Sequence, residues 1–219
     1  MTGFPGSPRL LRGGLVVIDP DTAAVRRFIA LQYNPDSVSR TLQVQGTGEG
    51  GAHAEVLRLR GPPVETIRLE AEIDATDLLE KPKENQNAVK LGLHPQLAAL
   101  ELLVYPTLAE VQSNRTLADQ GMLEVLPNAA PLTLFVWSRS RVMPVRITDF
   151  SITEEAFDPA LNPIRAKISL GLRVLSVNDL GFDSKASGIF MVYHQQKERL
   201  AGLDLPGGGL GALGISEIP

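Results

Sequence analysis

Apolar and polar residues alternate along most of this chain, with the two-residue period of β-strands rather than the helical period. Leu15–Ile18 is a short apolar run stopped by Asp19-Pro-Asp-Thr22, whose short polar side chains hydrogen-bond local backbone in turns. Arg26–Tyr33 reads as a second strand, closed by Asn34-Pro35-Asp36-Ser37. Val38, Arg40, Leu42 and Val44 then alternate with Ser39, Thr41, Gln43 and Gln45, the pattern of a strand with one wet face. Between Val64 and Asp74, Ile67, Leu69, Ala71 and Ile73 share one parity, and Arg68, Glu70, Glu72 and Asp74 share the other. A helix would mix these sets; a strand separates them.

The period changes in the middle. Ala75–Leu91 is polar and irregular, and Lys81-Pro-Lys83 forbids a long helix through it. Pro95 suits a helix start, where its missing N–H breaks nothing. The stripe Leu97, Leu100, Leu103 and Val104, with Pro106 just beyond, predicts one amphipathic helix over 95–104 that closes over a sheet. Residues 107–130 read as a short helix and a loop. Strands return at Pro131–Ser138, apolar on both sides and therefore expected to be central or covered twice. In Arg141–Glu155 the apolar parity switches from Val145 and Ile147 to Phe150 and Ile152, which predicts a β-bulge near Thr148-Asp149. After a turn at Phe157–Pro163, six apolar residues from Ile164 to Val174 alternate with Arg165, Lys167, Ser169, Gly171 and Arg173. This is the strongest strand signal in the chain, and its length suits a curved antiparallel sheet. Ile189–Leu203 reads as a final helix with Ile189, Val192, Tyr193, Gln196 and Leu200 on one side, followed by a Gly-rich tail from Pro206.

Composition narrows the chemistry. The chain has 219 residues, enough for a real core, and 43% of them are hydrophobic, as in ordinary globular proteins. With no cysteine there is no disulfide, thiolate nucleophile, iron–sulfur cluster or Cys-ligated zinc. No apolar run is long enough to span a bilayer as a helix. Met1–Pro8 is Gly- and Pro-rich rather than basic then apolar, so no secretory signal is expected, and a cytoplasmic location is. A net charge of −4 gives no counterion-release handle on nucleic acid.

Gly46-Thr-Gly-Glu-Gly-Gly51 matches a dinucleotide fingerprint in letters, but that fingerprint needs a helix next, and Ala54–Arg60 alternates as a strand. A hairpin loop is the better reading. His53, His94 and His194 are the only histidines and none has a metal-ligand neighbour at short spacing. Asp74, Asp77 and Glu80, and Asp149, Glu154, Glu155 and Asp158, lack the glycine-centred order of a calcium loop. No catalytic, cofactor or metal constellation is expected. Arg165, Lys167 and Arg173 form a basic stripe without interleaved aromatics, which suits an assembly surface or a plain solvated face better than nucleic acid.

Three ordered segments resemble the tube-protein family of contractile injection systems, the phage-tail-like machines of bacteria. The first is Phe28-Ile-Ala-Leu-Gln-Tyr33-Asn34-Pro35 with Asp36-Ser-Val-Ser-Arg40. The second runs from Gly61-Pro-Pro-Val-Glu-Thr-Ile-Arg-Leu69 through Ile73-Asp-Ala-Thr-Asp77 to Gly92-Leu-His-Pro95-Gln-Leu-Ala-Ala-Leu100. The third joins Pro131-Leu-Thr-Leu-Phe-Val-Trp137, Arg141-Val-Met-Pro144-Val145, Phe150–Glu155 and Phe157-Asp-Pro159-Ala-Leu-Asn162-Pro163.

The resemblance spans roughly residues 10–180 and implies a mainly β (α+β) fold, an antiparallel split β-barrel of phage tail-tube type with one packed helix. It implies a sixfold ring around a hollow lumen, with copies of itself, an inner-tube protein and a spike or hub protein as partners, within an assembled injection particle. Residues 1–12 are then a flexible lead, 13–180 the barrel, and 181–219 a C-terminal helix and tail for partner docking, with Ile189 and Tyr193 as docking candidates beside Arg165, Lys167 and Arg173. Several baseplate members carry a C-terminal LysM domain, and residues 181–219 show no such pattern. The extra C-terminal length favours a baseplate adaptor over a repeating inner-tube subunit. On that reading, removing residues 185–219 leaves a folded chain that fails to enter the particle. The rival classes are a small-ligand-binding barrel or enzyme using the barrel mouth, and a nucleic-acid-binding barrel.

Overall fold

The computed structural model describes residues 11–20, 22–46, 58–121, 131–203, 214, 215 and 218. Seven strands form one antiparallel sheet: β1 (Gly14–Ile18), β2 (Val25–Ala30), β3 (Val38–Gln43), β4 (Val64–Asp74), β5 (Leu132–Ser138), β6 (Arg141–Phe157) and β7 (Pro163–Val174). The spatial order is β2-β1-β5-β6-β7-β4-β3, so β2 and β3 end the sheet and it is not closed by a ladder. Five helices accompany it: α1 (Thr76–Leu79), α2 (Gln86–Leu91), α3 (His94–Glu101), α4 (Leu108–Asp119) and α5 (Lys185–Ala201). Among the described residues no helix is long and apolar enough to cross a membrane.

The longest ladders run through β7, which pairs with β6 on one side and β4 on the other. Its even-numbered side chains Ala166, Ile168, Leu170, Leu172 and Val174 are all buried, which is the face the alternation in sequence marks out. Ile67, Leu69 and Ala71 of β4, Leu15 and Val17 of β1, and Phe135 of β5 join them in one core cluster. Strands from both halves of the sheet thus share one interior, so the sheet curls. Leu97 and Leu100 of α3, with Leu103 just after it, fill the same cluster, so the middle helix does close over the sheet. It ends at Glu101, a few residues earlier than its stripe suggests, and Val104 faces outward.

A side chain ties the end of β2 to the end of β4 across the curl. Asp74 N–H, at the end of β4, donates to Gln32 Oε1 at 3.0 Å, and Gln32 Nε2 donates back to the Asp74 carbonyl at 2.8 Å. Gln32 lies just beyond β2, and this clasp explains why that strand stops at Ala30 rather than running to Tyr33. Leu31 N–H has turned to the Gly13 carbonyl, and the next side chain serves β4. β3, lying at the sheet's end, leaves Leu42 half exposed and Val44 more so; its expected dry face is covered only near Val38 and Arg40.

The parity switch in β6 is a bulge. Ile147 pairs with Leu172 and Asp149 with Gly171, so Thr148 is the extra residue, and Phe150 and Ile152 return to the inner side. A Cβ on Gly171 would lie 2.8 Å from the Asp149 Cβ and 3.2 Å from Thr148 Oγ1. The bulge therefore needs a residue without a side chain opposite it. Pro144, fully buried in the same strand, fits for a related reason. Its carbonyl accepts from Leu175 N–H at 2.8 Å, beyond the last β6–β7 pair, and within a strand the N and C=O of one residue point the same way. Its ring nitrogen thus points toward β7 where that ladder ends, and the β5 ladder on its other side loses no rung.

The ambiguous stretch after Pro106 contains α4, opened by a capping box in which the Thr107 hydroxyl accepts from Glu110 N–H and the Glu110 carboxylate accepts from Thr107 N–H. None of its residues is buried. Residues 122–130 lie outside the described residues. So do 1–10, most of the loop carrying the glycine motif, His53 and the Gly-rich tail from Pro206 to Leu213. The described flanks of that loop are joined by an antiparallel bridge between Gly46 and Leu59, as a hairpin requires.

The bulge gives a direct prediction. Gly171→Ala should destabilise the fold by about 1–3 kcal/mol by overpacking against Thr148 and Asp149, read as a lowered midpoint in urea at unchanged slope. Ser169→Ala, one rung along the same face, should shift that midpoint by much less.

Candidate functional site

Among the described residues no group of three or more His, Asp or Glu side chains could hold a metal ion. His94 is exposed at the start of α3, and His194 lies on α5, stacked on Phe190 and 3.4 Å from Glu198. Two open clefts stand out among the described residues. One, about 510 Å³, lies among α1, α2 and α3 and is lined chiefly by Lys83, Glu84 and side-chain amides. The other, about 410 Å³, lies between the end of α3 and the bulge, with Glu101, Tyr105 and Asp149 around apolar β6 residues. Neither sets a nucleophile beside a base. Of the acidic groups singled out in sequence, Asp74, Glu155 and Asp158 bind neighbouring groups of the fold. Asp74 caps Thr76 and pairs with Arg165, and its carboxyl, raised by desolvation, is brought below the usual range by these partners.

The residues that carry the family resemblance build joints. Asn34 ties two segments: Gly13 N–H donates to its Oδ1 at 2.9 Å, and its Nδ2 donates to the Leu11 carbonyl at 2.8 Å. Trp137 packs against Phe135 with ring centroids 6.0 Å apart, over Gly13, where a Cβ would meet its ring at 2.8 Å. In the β6–β7 turn, Asp158 Oδ1 accepts from Ala160 N–H and Asn162 N–H, and its Oδ2 accepts from Asn162 Nδ2. The side-chain and backbone N–H donors of Asn162, with the Ala160 N–H, hold that carboxyl below its usual range against a small opposing effect of burial. The turn then receives the helical segment. Leu93 N–H donates to the Pro163 carbonyl, and Gly92, at φ +54°, passes so close that a Cβ would lie 2.4 Å from that oxygen. Leu100 and Pro163 are buried; Tyr33, Asp77, Pro95 and Phe157 are exposed at the ends of the elements they punctuate, and Pro159 sits in the turn.

The basic stripe on β7 is matched within the chain. Arg165 lies 3.1 Å from Asp74 and 3.5 Å from Glu72, Lys167 Nζ lies 2.9 Å from Glu155, and Arg173 lies 2.5 Å from Asp179. Hydrogen bonds to these carboxylates push Arg165 and Lys167 up. Each pair is exposed enough to contribute little to stability, but the positive charge is answered in place.

The least expected cluster joins the sheet to α5. Glu65 occupies the core parity of β4, ahead of Ile67, and is only 3% exposed. Its Oε1 accepts from Arg40 Nε at 2.8 Å and from the Tyr193 hydroxyl at 3.0 Å, and its Oε2 accepts from Lys197 Nζ at 2.9 Å. Lys197 also lies 4.1 Å from the centre of the Tyr193 ring. Burial pushes the Glu65 carboxyl up, but Lys197, Arg40 and the Tyr193 hydroxyl outweigh it and hold the group below the carboxylate range. Burial and that carboxylate push the Tyr193 hydroxyl up. A buried acid between two cations is anchored rather than idle.

This anchoring corrects the reading of the C-terminal helix. α5 begins at Ser184, whose hydroxyl caps Ser187 N–H, and buries Ala186, Ser187, Phe190 and Tyr193. Tyr193 is inside the chain, so it cannot meet a partner, while Ile189 is half buried. Val192 and Leu200, grouped with Ile189 and Tyr193 on one side of the helix from sequence, are exposed while Tyr193 is buried. Nor is the helix separable: truncation at residue 185 would strip Phe190 and Tyr193 from the core and leave Glu65 unpaired but for Arg40. Gln32 and Glu65 escaped the sequence reading. Glu65 was detectable as a charge on an otherwise apolar parity.

No protein-family model matches the chain, and no curated protein matches it.

The Glu65 cluster carries its own sign. Because its folded carboxyl is held below the ordinary value of 4.5, the stability it contributes is present above that pH and lost as pH falls through the lower folded value. Glu65→Gln should therefore be less stable than the parent at neutral pH by about 1–3 kcal/mol, the cost of leaving buried partners unmatched. The difference in thermal midpoint should shrink as the pH is taken below about 4.

Proposed function

We propose that this chain is a structural ring subunit of a contractile injection system, a baseplate adaptor that joins the spike or hub to the inner tube. Its curled antiparallel sheet with one covering helix agrees with a split barrel of tail-tube type. The observation that carries the assembly reading is the state of the two terminal strands. β2 presents Val25 and Phe28, 65% and 66% exposed, and β3 presents Leu42 at 50%, all on strands whose outer edges have no partner within the described chain. Two unlike bare edges on one chain form a head-to-tail contact, and head-to-tail contacts close into rings when the rotation permits. Main-chain pairing at such edges supplies affinity, and the outward side chains supply register.

Two further observations support a structural role. The resemblance-bearing residues make joints between elements, and the charges on the long polar face are paired in place. The adaptor position rests on α5, which covers part of the sheet and leaves Val192 and Leu200 exposed as an added surface on one side of the subunit.

Phe28→Lys and Leu42→Lys sit on exposed edges and should leave folding intact, with circular dichroism and urea midpoint close to the parent. Either change should abolish ring formation, seen by mass photometry and negative-stain microscopy of the chain co-expressed with its genomic neighbours. Rings that persist in both variants would remove the edge strands from the assembly. Tubes that lengthen from this chain alone would instead make it the repeating tube subunit.

A further inference from the structure

The turn between β6 and β7 carries an apolar tip that the fold does not use. Phe157 is 52% exposed and Leu161 77%, with Pro159 and Ala160 exposed between them. Leu161 also sits at φ +64°, in the left-handed region that a bulky side chain occupies only at a cost. The turn holds it there. Leu161 N–H donates to the Asp158 carbonyl at 2.9 Å, and Asn162 N–H donates to Asp158 Oδ1 at 2.8 Å. Asparagine or glycine would suit that backbone better, and the leucine gains little from burial within its own chain. A strained residue that its surroundings fix in place and leave bare points to a role outside the fold.

The cleft between the end of α3 and the bulge has the complementary character. Half-buried Ile147, Phe150 and Ile152 and exposed Val104 and Tyr105 line it, and its volume of about 410 Å³ has room for a leucine side chain. Glu101 and Asp149 stand at the same cleft, and among the described residues neither carboxylate has an ion-pair or hydrogen-bond partner. On the tip's side, the Lys90 carbonyl accepts from Asn162 Nδ2 at 3.3 Å, which puts an exposed cation beside the turn. Its ammonium is likewise unpaired among the described residues. From Phe150 to Phe157 the strand runs about 23 Å, so a tip does not reach the cleft of its own chain. Tip and cleft meet only between copies, and because the two surfaces differ the contact is head to tail.

We propose that the β6–β7 tip of one copy seats Leu161 in the cleft between α3 and β6 of the next, with Lys90 facing Glu101 and Asp149 across its rim. Burial of the leucine supplies the attraction, and the opposite charges set the orientation. This rests on the reading that copies of the chain meet one another, and it names a second contact that uses neither edge strand.

The chain has no cysteine, so the contact can be read by disulfide trapping. Copies carrying Ala160→Cys, which keeps Leu161, are mixed under mild oxidation with differently tagged copies carrying Val104→Cys. The mixed dimer should exceed by at least about tenfold that formed with Thr153→Cys, on the opposite face of β6, because docking raises the effective concentration of the thiols. Adding Leu161→Asn to the tip copy should remove that excess, while the urea midpoint of Leu161→Asn stays no lower than the parent's. Lys90→Glu in the tip copy should cut the yield about fivefold, and Glu101→Lys in the cleft copy should restore it. A mixed dimer no more abundant than the control would overturn the proposal. So would an Ala160→Cys self-dimer that outweighs it, since tips would then meet tips. A lowered midpoint in Leu161→Asn would overturn it too, since the leucine would then serve the fold. Phe28→Lys should leave the mixed dimer unchanged: rings without the dimer sink this contact alone, and the dimer without rings sinks the edge pairing alone.

Discussion

Everything in this chain is arranged around the two-sidedness of β7. Its apolar side must be covered along its whole length, and its polar side carries three cations that must be answered where they stand. The first demand brings β4 and β6 alongside to extend the apolar surface, and then α3 and α5 to close it. The second places Asp74, Glu72, Glu155 and Asp179 on neighbouring segments within reach of Arg165, Lys167 and Arg173. The bulge at Thr148 follows from the same constraint. β6 is too long to lie flat against β7, and an extra residue bends it while returning Phe150 and Ile152 to the inner side.

Polar groups do the fastening where apolar burial cannot. A strand end and a loop are held by the Gln32 amide, a turn and a helix by Asn162 and the Pro163 carbonyl, and a helix and a strand by Glu65. Each sits at the rim of the core, where backbone groups leave their ladders and need other partners.

Strands with a regular wet and dry side were legible because burial on one face writes itself into alternation. β4 and β7 were read to the residue or within one, and the parity switch disclosed the bulge. Legibility failed where a residue answers a distant partner. Nothing local to Gln32 indicates that it will end a strand by binding Asp74, 42 positions away. The face of α5 was misread because the apolar arc was weighed without the acid it meets, 128 positions earlier. The paired state of the basic stripe was likewise invisible, since Asp179 and Glu155 come from other segments.

The Gln32 clasp has a mechanical consequence. Six ladders join the seven strands, whereas the tie between the end of β2 and the end of β4 consists of two hydrogen bonds of one amide. Neutral hydrogen bonds of this kind are worth about 1 kcal/mol each, small beside a nine-rung ladder such as that of β4 and β7. That tie can therefore open without breaking any strand pair. Strain on the fold is released there, at a pair of amide hydrogen bonds, before any of the ladders that form its framework yields.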